Sequence, residues 1–336
     1  MKIIVPMAGM GKRMRPHTLT TPKPLVPVAG KPIVQKLIED LEKVCGKGIE
    51  EVAFIIGPSF GKAVEADLIA IAEKLGAKGS IYYQHEALGT AHAIMCAKES
   101  LDGNVLVVFA DTLFKADFVL DRSKEGIIWV QKVEDPRPFG VVKVNADNVI
   151  TDFIEKPENF VSDLAIIGIY YFKDGAYLRS ELQYLLDNNV TEKGEYQLTN
   201  ALENMKAKGT QFEPGKVTEW LDCGNKNSTV FTNGRILSYM QNDHENMVHE
   251  SVKMDGSVII QPSYIGKNVK LNRSVVGPFA SIGDGCTVQN SVVSNCIIQT
   301  NTKLVNAVID NAMIGNSVEY HGEAKDLSIG DYTTVL

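Results

Sequence analysis

A chain of 336 residues exceeds what one small core needs and suffices for two domains of ordinary size. Its 44% apolar and 22% charged residues are ordinary for a globular protein, and 41 acidic against 34 basic side chains give a net charge of -7, which argues against a general nucleic-acid binder. Five cysteines without a CxxC pair or zinc-like spacing predict a reduced, cytoplasmic protein, and the longest early apolar run, residues 3–7, is far short of a signal-peptide core or a membrane span.

The first strand is read at KIIVPMA. Residues 5–32, VPMAGMGKRMRPHTLTTPKPLVPVAGKP, then gather Lys12, Arg13, Arg15, Lys23 and Lys31 among glycines and prolines. So much positive charge in an acidic chain, in a stretch that resists helix formation, predicts a loop that wraps something anionic. PIVQKLIEDLEKV follows, with Ile33, Val34, Leu37, Ile38, Leu41 and Val44 on one helical face and Gly46 and Gly48 as stops. EVAFIIG is a second strand, residues 61–75 a second helix, SIYYQ a third strand, TAHAIMCAKES a third helix and NVLVVFAD a fourth strand. This alternation predicts a parallel sheet with helices on both faces, and ligands of such sheets bind beyond the carboxyl ends of the strands. The opening loop, Gln84 and Asp111 all fall at those ends. Residues 126–172 turn to shorter strands, read as a hairpin-rich insertion covering the sheet. Helices are expected at 176–186 and 196–206, a last strand at VTEWLD ending in Asp222, and a helix to about residue 239 that closes the first domain.

The tail differs in kind. Aliphatic residues recur every five or six positions at Ile265, Leu271, Val276, Ile282, Val288, Val293, Ile298, Leu304, Ile309 and Ile314. A period near six predicts a hexapeptide β-helix. The spacing of 16 or 17 residues between Ile265, Ile282, Ile298 and Ile314 predicts a triangular solenoid of about four coils. The expected organisation is a first domain over 1–241, a polar linker over 242–252 and a repeat domain over 253–336.

Two familiar glycine loops fail on the opening segment. A dinucleotide fingerprint starting at Gly9-Met10-Gly11 would need glycine where Met14 stands, and Pro16 forbids the helix that should follow. A P-loop would need Ser or Thr after Gly11-Lys12, where Arg13 stands. An irregular loop remains, whose backbone amides approach phosphate while Arg13 and Lys23 supply charge.

Taken whole, the loop resembles the signature of the sugar-1-phosphate nucleotidylyltransferases, G-x-G-[TS]-R-[LM]-x-P followed by P-K-P-[LM]-x-P-[VI]-x-x-K-P. It reads Gly9-Met10-Gly11-Lys12-Arg13-Met14-Arg15-Pro16, then Pro22-Lys23-Pro24-Leu25-Val26-Pro27-Val28 and Lys31-Pro32, with Lys12 where the family usually has Thr or Ser. Later pieces match in order: Gln84 with Gly89-Thr90-Ala91, Asp111, Phe139-Gly140-Val141-Val142, Glu155-Lys156-Pro157, Gly168 and Trp220-Leu221-Asp222-Cys223-Gly224. The match covers about the first 240 residues. It implies a Rossmann-like α/β nucleotidyltransferase domain with a mostly parallel central sheet, followed by a short left-handed parallel β-helix.

The implied reaction joins a sugar 1-phosphate to a nucleoside triphosphate and releases pyrophosphate. By resemblance Arg13 and Lys23 hold the triphosphate, with Ala8, Gly9, Gly11, Lys12, Gln84, Gly89 and Thr90 around the nucleotide. Gln84 is expected to offer a donor and an acceptor together to a pyrimidine, UTP or dTTP, with Gly89 letting the backbone approach the same base. Gly140, Glu155, Lys156 and Gly168 are the expected sugar-phosphate site. Asp111 and Asp222 would hold Mg²⁺, an ion that takes a few carboxylates plus substrate phosphates. Glucose 1-phosphate is the first choice of sugar. A guanylyltransferase of mannose 1-phosphate and a non-enzymatic assembly subunit are the competing readings. The tail is expected to mediate homo-oligomer formation or to serve as an allosteric interface rather than to carry out acetyl transfer. His92, in the helix behind the base-reading turn, is read as a packing residue.

Overall fold

A computed structural model describes residues 1–9, 11–46, 48–323 and 328–334; Met10 of the opening motif lies outside them. In chain order the elements are β1 (Lys2–Pro6), the hairpin strands β2 (Pro27–Val28) and β3 (Lys31–Pro32), α1 (Ile33–Cys45), β4 (Glu51–Ile56), α2 (Gly61–Lys74), β5 (Lys78–Tyr83), α3 (Thr90–Met95), β6 (Val105–Val108) and β7 (Thr112–Lys115). Then come β8 (Gly126–Lys132), β9 (Gly140–Val144), β10 (Ile150–Glu155), β11 (Leu164–Phe172), α4 (Gly175–Asp187), α5 (Leu198–Ala207), β12 (Phe212–Lys216), β13 (Glu219–Asp222) and α6 (Lys226–Asn242). No described helix is long and apolar enough to cross a membrane.

The chain forms two compact units, one of residues 1–26 and 32–224, the other of residues 27–31 and 225–336. The boundary falls after Gly224. The helix that the sequence assigns to the end of the first domain, α6, packs within the second of these units. A capping box starts it, Asn225 accepting from the Ser228 amide while the Ser228 hydroxyl accepts from the Asn225 amide. Its buried Asn233 accepts from the Ala29 amide (2.9 Å) and from the Ser281 hydroxyl (2.7 Å), and Leu237 packs with Ala29 and Met247.

The first unit is built on a mixed sheet in the order β10-β9-β11-β6-β1-β4-β5, with β8 also on β11 and β12 on β8. The strands β6, β1, β4 and β5 are parallel neighbours, as the alternating pattern predicts. β1, β4 and β6 are nearly continuous apolar runs because both faces are covered, and the predicted face of α1 is buried throughout. Residues 126–172 do not cover the sheet. They extend it: β11 lies antiparallel to β6 and carries β8 and β9 beside it. Edge pairing satisfies the backbone groups of β6 that a face-covering insertion would leave open. β11 has a register break between Ile166 and Tyr170, around Gly168 at φ +87°, where its pairing changes from β9 to β6. β13 pairs only with β7, as a separate two-stranded ribbon.

The second unit carries strands over residues 253–321 that stack in three parallel sheets of five, four and four strands. The ladders join residues 16 or 17 apart, as in Leu271 with Val288 and Leu304, Val276 with Val293 and Ile309, and Ile265 with Ile282, Ile298 and Ile314. These are the aliphatic residues the hexapeptide period picks out, and they form one core. A row of valines faces outward on one sheet: Val258, Val292 and Val308 are 56%, 46% and 87% exposed.

In the first unit Phe212 is fully buried, edge-on to Phe153 (5.4 Å between ring centres) and Phe172 (6.3 Å), and a side chain at Gly126 would collide with its ring. Phe212→Ala is expected to cost about 3–5 kcal/mol, read as a fall in the denaturant midpoint.

Candidate active site

The carboxyl ends of β1, β5 and β6 open into one cleft of about 380 Å³. Among its lining residues are Ala8, Gly9, Gly11, Lys12, Arg13, Lys23, Gln84, Gly89, Thr90 and Asp111. Every residue expected around the triphosphate therefore meets there. The opening loop holds its shape by packing on itself. Gly11 sits at φ +57°, where a side chain would come within 2.9 Å of Lys23 Cβ, and its carbonyl accepts from Thr18 Oγ1 (2.8 Å). Met14 is fully buried beneath the loop. Lys23 is thereby fixed: its side chain is 12% exposed, with Nζ 2.8 Å from Asp111 Oδ2. Lys12 and Arg13 are exposed beside it, with no side-chain partner among the described residues.

Asp111 follows β6 on a turn tied from several sides. The Phe109 amide donates to Gly168 O (2.9 Å), Thr112 Oγ1 to Ile167 O (2.6 Å), and the Cys223 amide to Asp111 O (2.9 Å). Asp222 stands opposite Thr112 in the β7–β13 ribbon, one position out of register with Asp111; unlike Asp111 it is not among the residues that line the cleft, though its Oδ1 accepts from the amide of Gly224, which is. Gly168 thus shapes the Asp111 turn; a side chain there would crowd Phe109 and Thr112.

Gln84 and Gly89 lie together at one end of the cleft. Gln84 Nε2 donates to Gly89 O (3.3 Å) and lies 3.1 Å from His92 Nδ1, so within the fold its amide nitrogen already has partners. Gly89 lines the cleft at φ +109°, and the fold itself also requires glycine there: a side chain would strike the Tyr196 backbone, 2.4 Å from its oxygen. The Ala91 amide donates to Tyr196 O and the Tyr196 amide to Leu88 O. Thr90 Oγ1 accepts from the Leu198 amide and donates to Gln197.

Gly140, Glu155 and Lys156 do not line the triphosphate cleft. They form a second group on the β9–β10 hairpin, where Glu155 pairs with Gly140 in register. The bare Gly140 leaves room for the Glu155 carboxylate, 3.1 Å from where a Cβ would stand. Lys156 Nζ lies 3.1 Å from Glu155 Oε1, and Thr199 Oγ1 reaches Glu155 Oε2 at 3.5 Å. Burial, with a smaller contribution from Glu155, raises the Tyr170 hydroxyl well above its usual range.

Residues 195–199 are what sequence reading missed. Glu195 lines the cleft, Tyr196 clamps the Gly89 turn, Gln197 meets Thr90, and Thr199 meets Glu155. The signal was a run of polar residues, Glu-Tyr-Gln, directly ahead of an apolar helix.

A cleft at the carboxyl edge of a parallel sheet, lined by Lys12, Arg13 and Lys23 of an irregular loop and by Asp111, has the charge to take a phosphate group. The nucleotidyl transferase family model matches residues 2–238, and the chain belongs to that family of enzymes. Glucose-1-phosphate thymidylyltransferase of Streptomyces antibioticus is 26% identical over all of this chain and 99% of its own. A protein named bifunctional protein GlmU in Methanococcus vannielii is 29% identical over 95% of this chain and 79% of its own. Among solved structures, UDP-glucose pyrophosphorylase complexed with UDP-glucose superposes with a TM-score of 0.58 at 23% identity, over 71% of this chain and 98% of its own.

Gly89→Ala is expected to cost about 1–3 kcal/mol in stability, from backbone strain and the Tyr196 clash, and to weaken the melting-temperature rise that nucleotide gives. Denaturation and thermal-shift curves check both.

Proposed function

We propose that the protein transfers a nucleotidyl group from UTP or dTTP to a hexose 1-phosphate, with glucose 1-phosphate the leading acceptor. The observation that carries this reading is the convergence of Lys12, Arg13, Lys23, Gln84 and Asp111 on one cleft. The names of the thymidylyltransferase relative and of the UDP-glucose-bound neighbour support the pyrimidine and the sugar.

A sugar-phosphate oxygen attacks the α-phosphorus; that P–O bond forms as the bond to the bridging oxygen breaks, and pyrophosphate leaves. The nucleophile is already an anion, so no base is required. The obstacle is bringing two anions together, which positioned cations overcome. Arg13 and Lys12 take the outer phosphates. Lys23, held by packing against Gly11, is rigid and neutralises charge near the α-phosphate. Lys156 grips the sugar phosphate, and Glu155, its carboxylate packed over Gly140 beside Lys156, accepts from sugar hydroxyls.

The two aspartates suit Mg²⁺. Asp111 lines the cleft and Asp222 ends β13 opposite the next residue, Thr112, and no described group of three or more Asp, Glu, His or Cys gathers as a closed metal cage. Magnesium is commonly held by one or two carboxylates with substrate phosphates and water completing its shell. Asp111 and Asp222 would hold it, and it would offset phosphate charge as the pyrophosphate leaves.

Pyrophosphate release with Mg²⁺, measured for UTP, dTTP, CTP, ATP and GTP against four hexose 1-phosphates, is expected to be fastest with a uracil or thymine nucleotide and glucose 1-phosphate. Asp111→Asn should lower it by about 10²–10³-fold. Preference for GTP would replace this reading with the guanylyltransferase one.

We propose also that the coils mediate self-association. The outward valine row supports this, since it repeats with the coil stack and a second copy supplies a row of the same period. Val292→Lys with Val308→Lys should lower the mass found by light scattering; an unchanged mass would refute the valine row as the interface.

A further inference from the structure

Gln84 carries two amide hydrogens and one amide oxygen. Its Nε2 faces two partners, Gly89 O at 3.3 Å and His92 Nδ1 at 3.1 Å. The first is a carbonyl and can only accept, and the same carbonyl also takes the Ala93 amide at the start of α3. An amide turned the other way would set Gln84 Oε1 against that carbonyl. His92 Nδ1 must then accept, which puts the ring proton on Nε2. Burial lowers the His92 pKa, with Glu86 opposing more weakly, so the neutral ring that can accept is the favoured one. Gln84 Oε1 has no hydrogen-bond partner among the described residues, and Gln84 lines the cleft.

We infer that His92 is a positioning residue for base selection: with Gly89 O it locks the Gln84 amide so that only an acceptor, Oε1, is presented to the base. This rests on the proposed reading of Gln84 as the residue that meets the nucleotide base. An acceptor pairs with the N3–H of uracil or thymine. Cytosine has no hydrogen at N3, so the locked amide leaves two acceptors facing each other, which is costly in a desolvated site. Without the lock, Gln84 can turn over and donate to cytosine. The lock rejects cytosine and is indifferent to the methyl group, so it separates UTP and dTTP from CTP and does not separate them from each other.

The test uses the full chain, with kcat/KM for UTP, dTTP and CTP and glucose 1-phosphate as acceptor. His92→Leu and His92→Ala remove the acceptor with different losses of volume. His92→Asn restores an acceptor, Oδ1, at the position of Nδ1. Gln84→Leu removes the reader itself, and thermal denaturation identifies the variants that fold. The UTP-to-CTP ratio is expected to fall about tenfold in His92→Leu and His92→Ala, to recover in His92→Asn, and to collapse in Gln84→Leu. The UTP-to-dTTP ratio should hold throughout. A residue that only packs would change overall activity or stability and leave the UTP-to-CTP ratio alone. If Gln84→Leu collapses the ratio while the folded His92 variants keep it, the positioning role is refuted and the base-reading role stands. If Gln84→Leu leaves the ratio intact, the reading of Gln84 fails, and the inference falls with it.

Discussion

The backbone of Tyr196 lies against Gly89, and the first unit's site depends on that approach. Two hydrogen bonds, from Ala91 N–H to Tyr196 O and from Tyr196 N–H to Leu88 O, close only because Gly89 carries no Cβ. From that clamp follow the start of α3, the carbonyl that orients Gln84, the entry of Glu195 into the cleft and the bond between Thr90 and Gln197. Three residues past Tyr196, Thr199 reaches Glu155. One backbone contact therefore links the Gln84 end of the cleft to the hairpin proposed to hold the sugar.

A second constraint is electrostatic. An acidic chain must hold an anionic substrate, so its positive charge has to be local. The opening loop achieves this without a regular helix. Gly11 brings the loop onto the stem of Lys23, Met14 anchors it below, and Lys23 meets Asp111 at 2.8 Å. A cation paired with a carboxylate at the cleft is held in place, while Lys12 and Arg13, proposed to meet the outer phosphates, stay exposed. The turn of Asp111 is in turn fixed by β11, whose bulge at Gly168 places two carbonyls where Phe109 and Thr112 donate.

The second unit is simpler because its order is one-dimensional. Each coil buries aliphatic side chains against the next, and asparagines at left-handed turn positions, among them Asn268, Asn290, Asn301 and Asn306, let the chain turn corners that most residues resist.

How much of this was legible in the sequence follows from the range of each interaction. Local periodicity gave the parallel strands and the face of α1, because burial on a sheet or helix repeats along the chain. The period of 16 or 17 gave the coils for the same reason, since each residue meets its own counterpart one turn on. The glycine and proline signature gave the cleft residues of the opening loop. Contacts between distant segments left no such trace. That residues 126–172 extend the sheet at β6 rather than cover it is a choice between two ways of burying the same apolar strands. That α6 packs with the coils is set by contacts such as those of Asn233 with Ser281 and Lys226 with Asn311, whose partners lie far apart in the chain. The need for glycine at position 89 comes from a backbone more than a hundred residues away, and so does the bond from Thr90 to Gln197. The sequence by itself determined which elements form and which side chains can carry the chemistry. The tertiary structure decided which way the Gln84 amide faces and which residues stand around it, because those depend on partners that only the folded chain brings within hydrogen-bond distance.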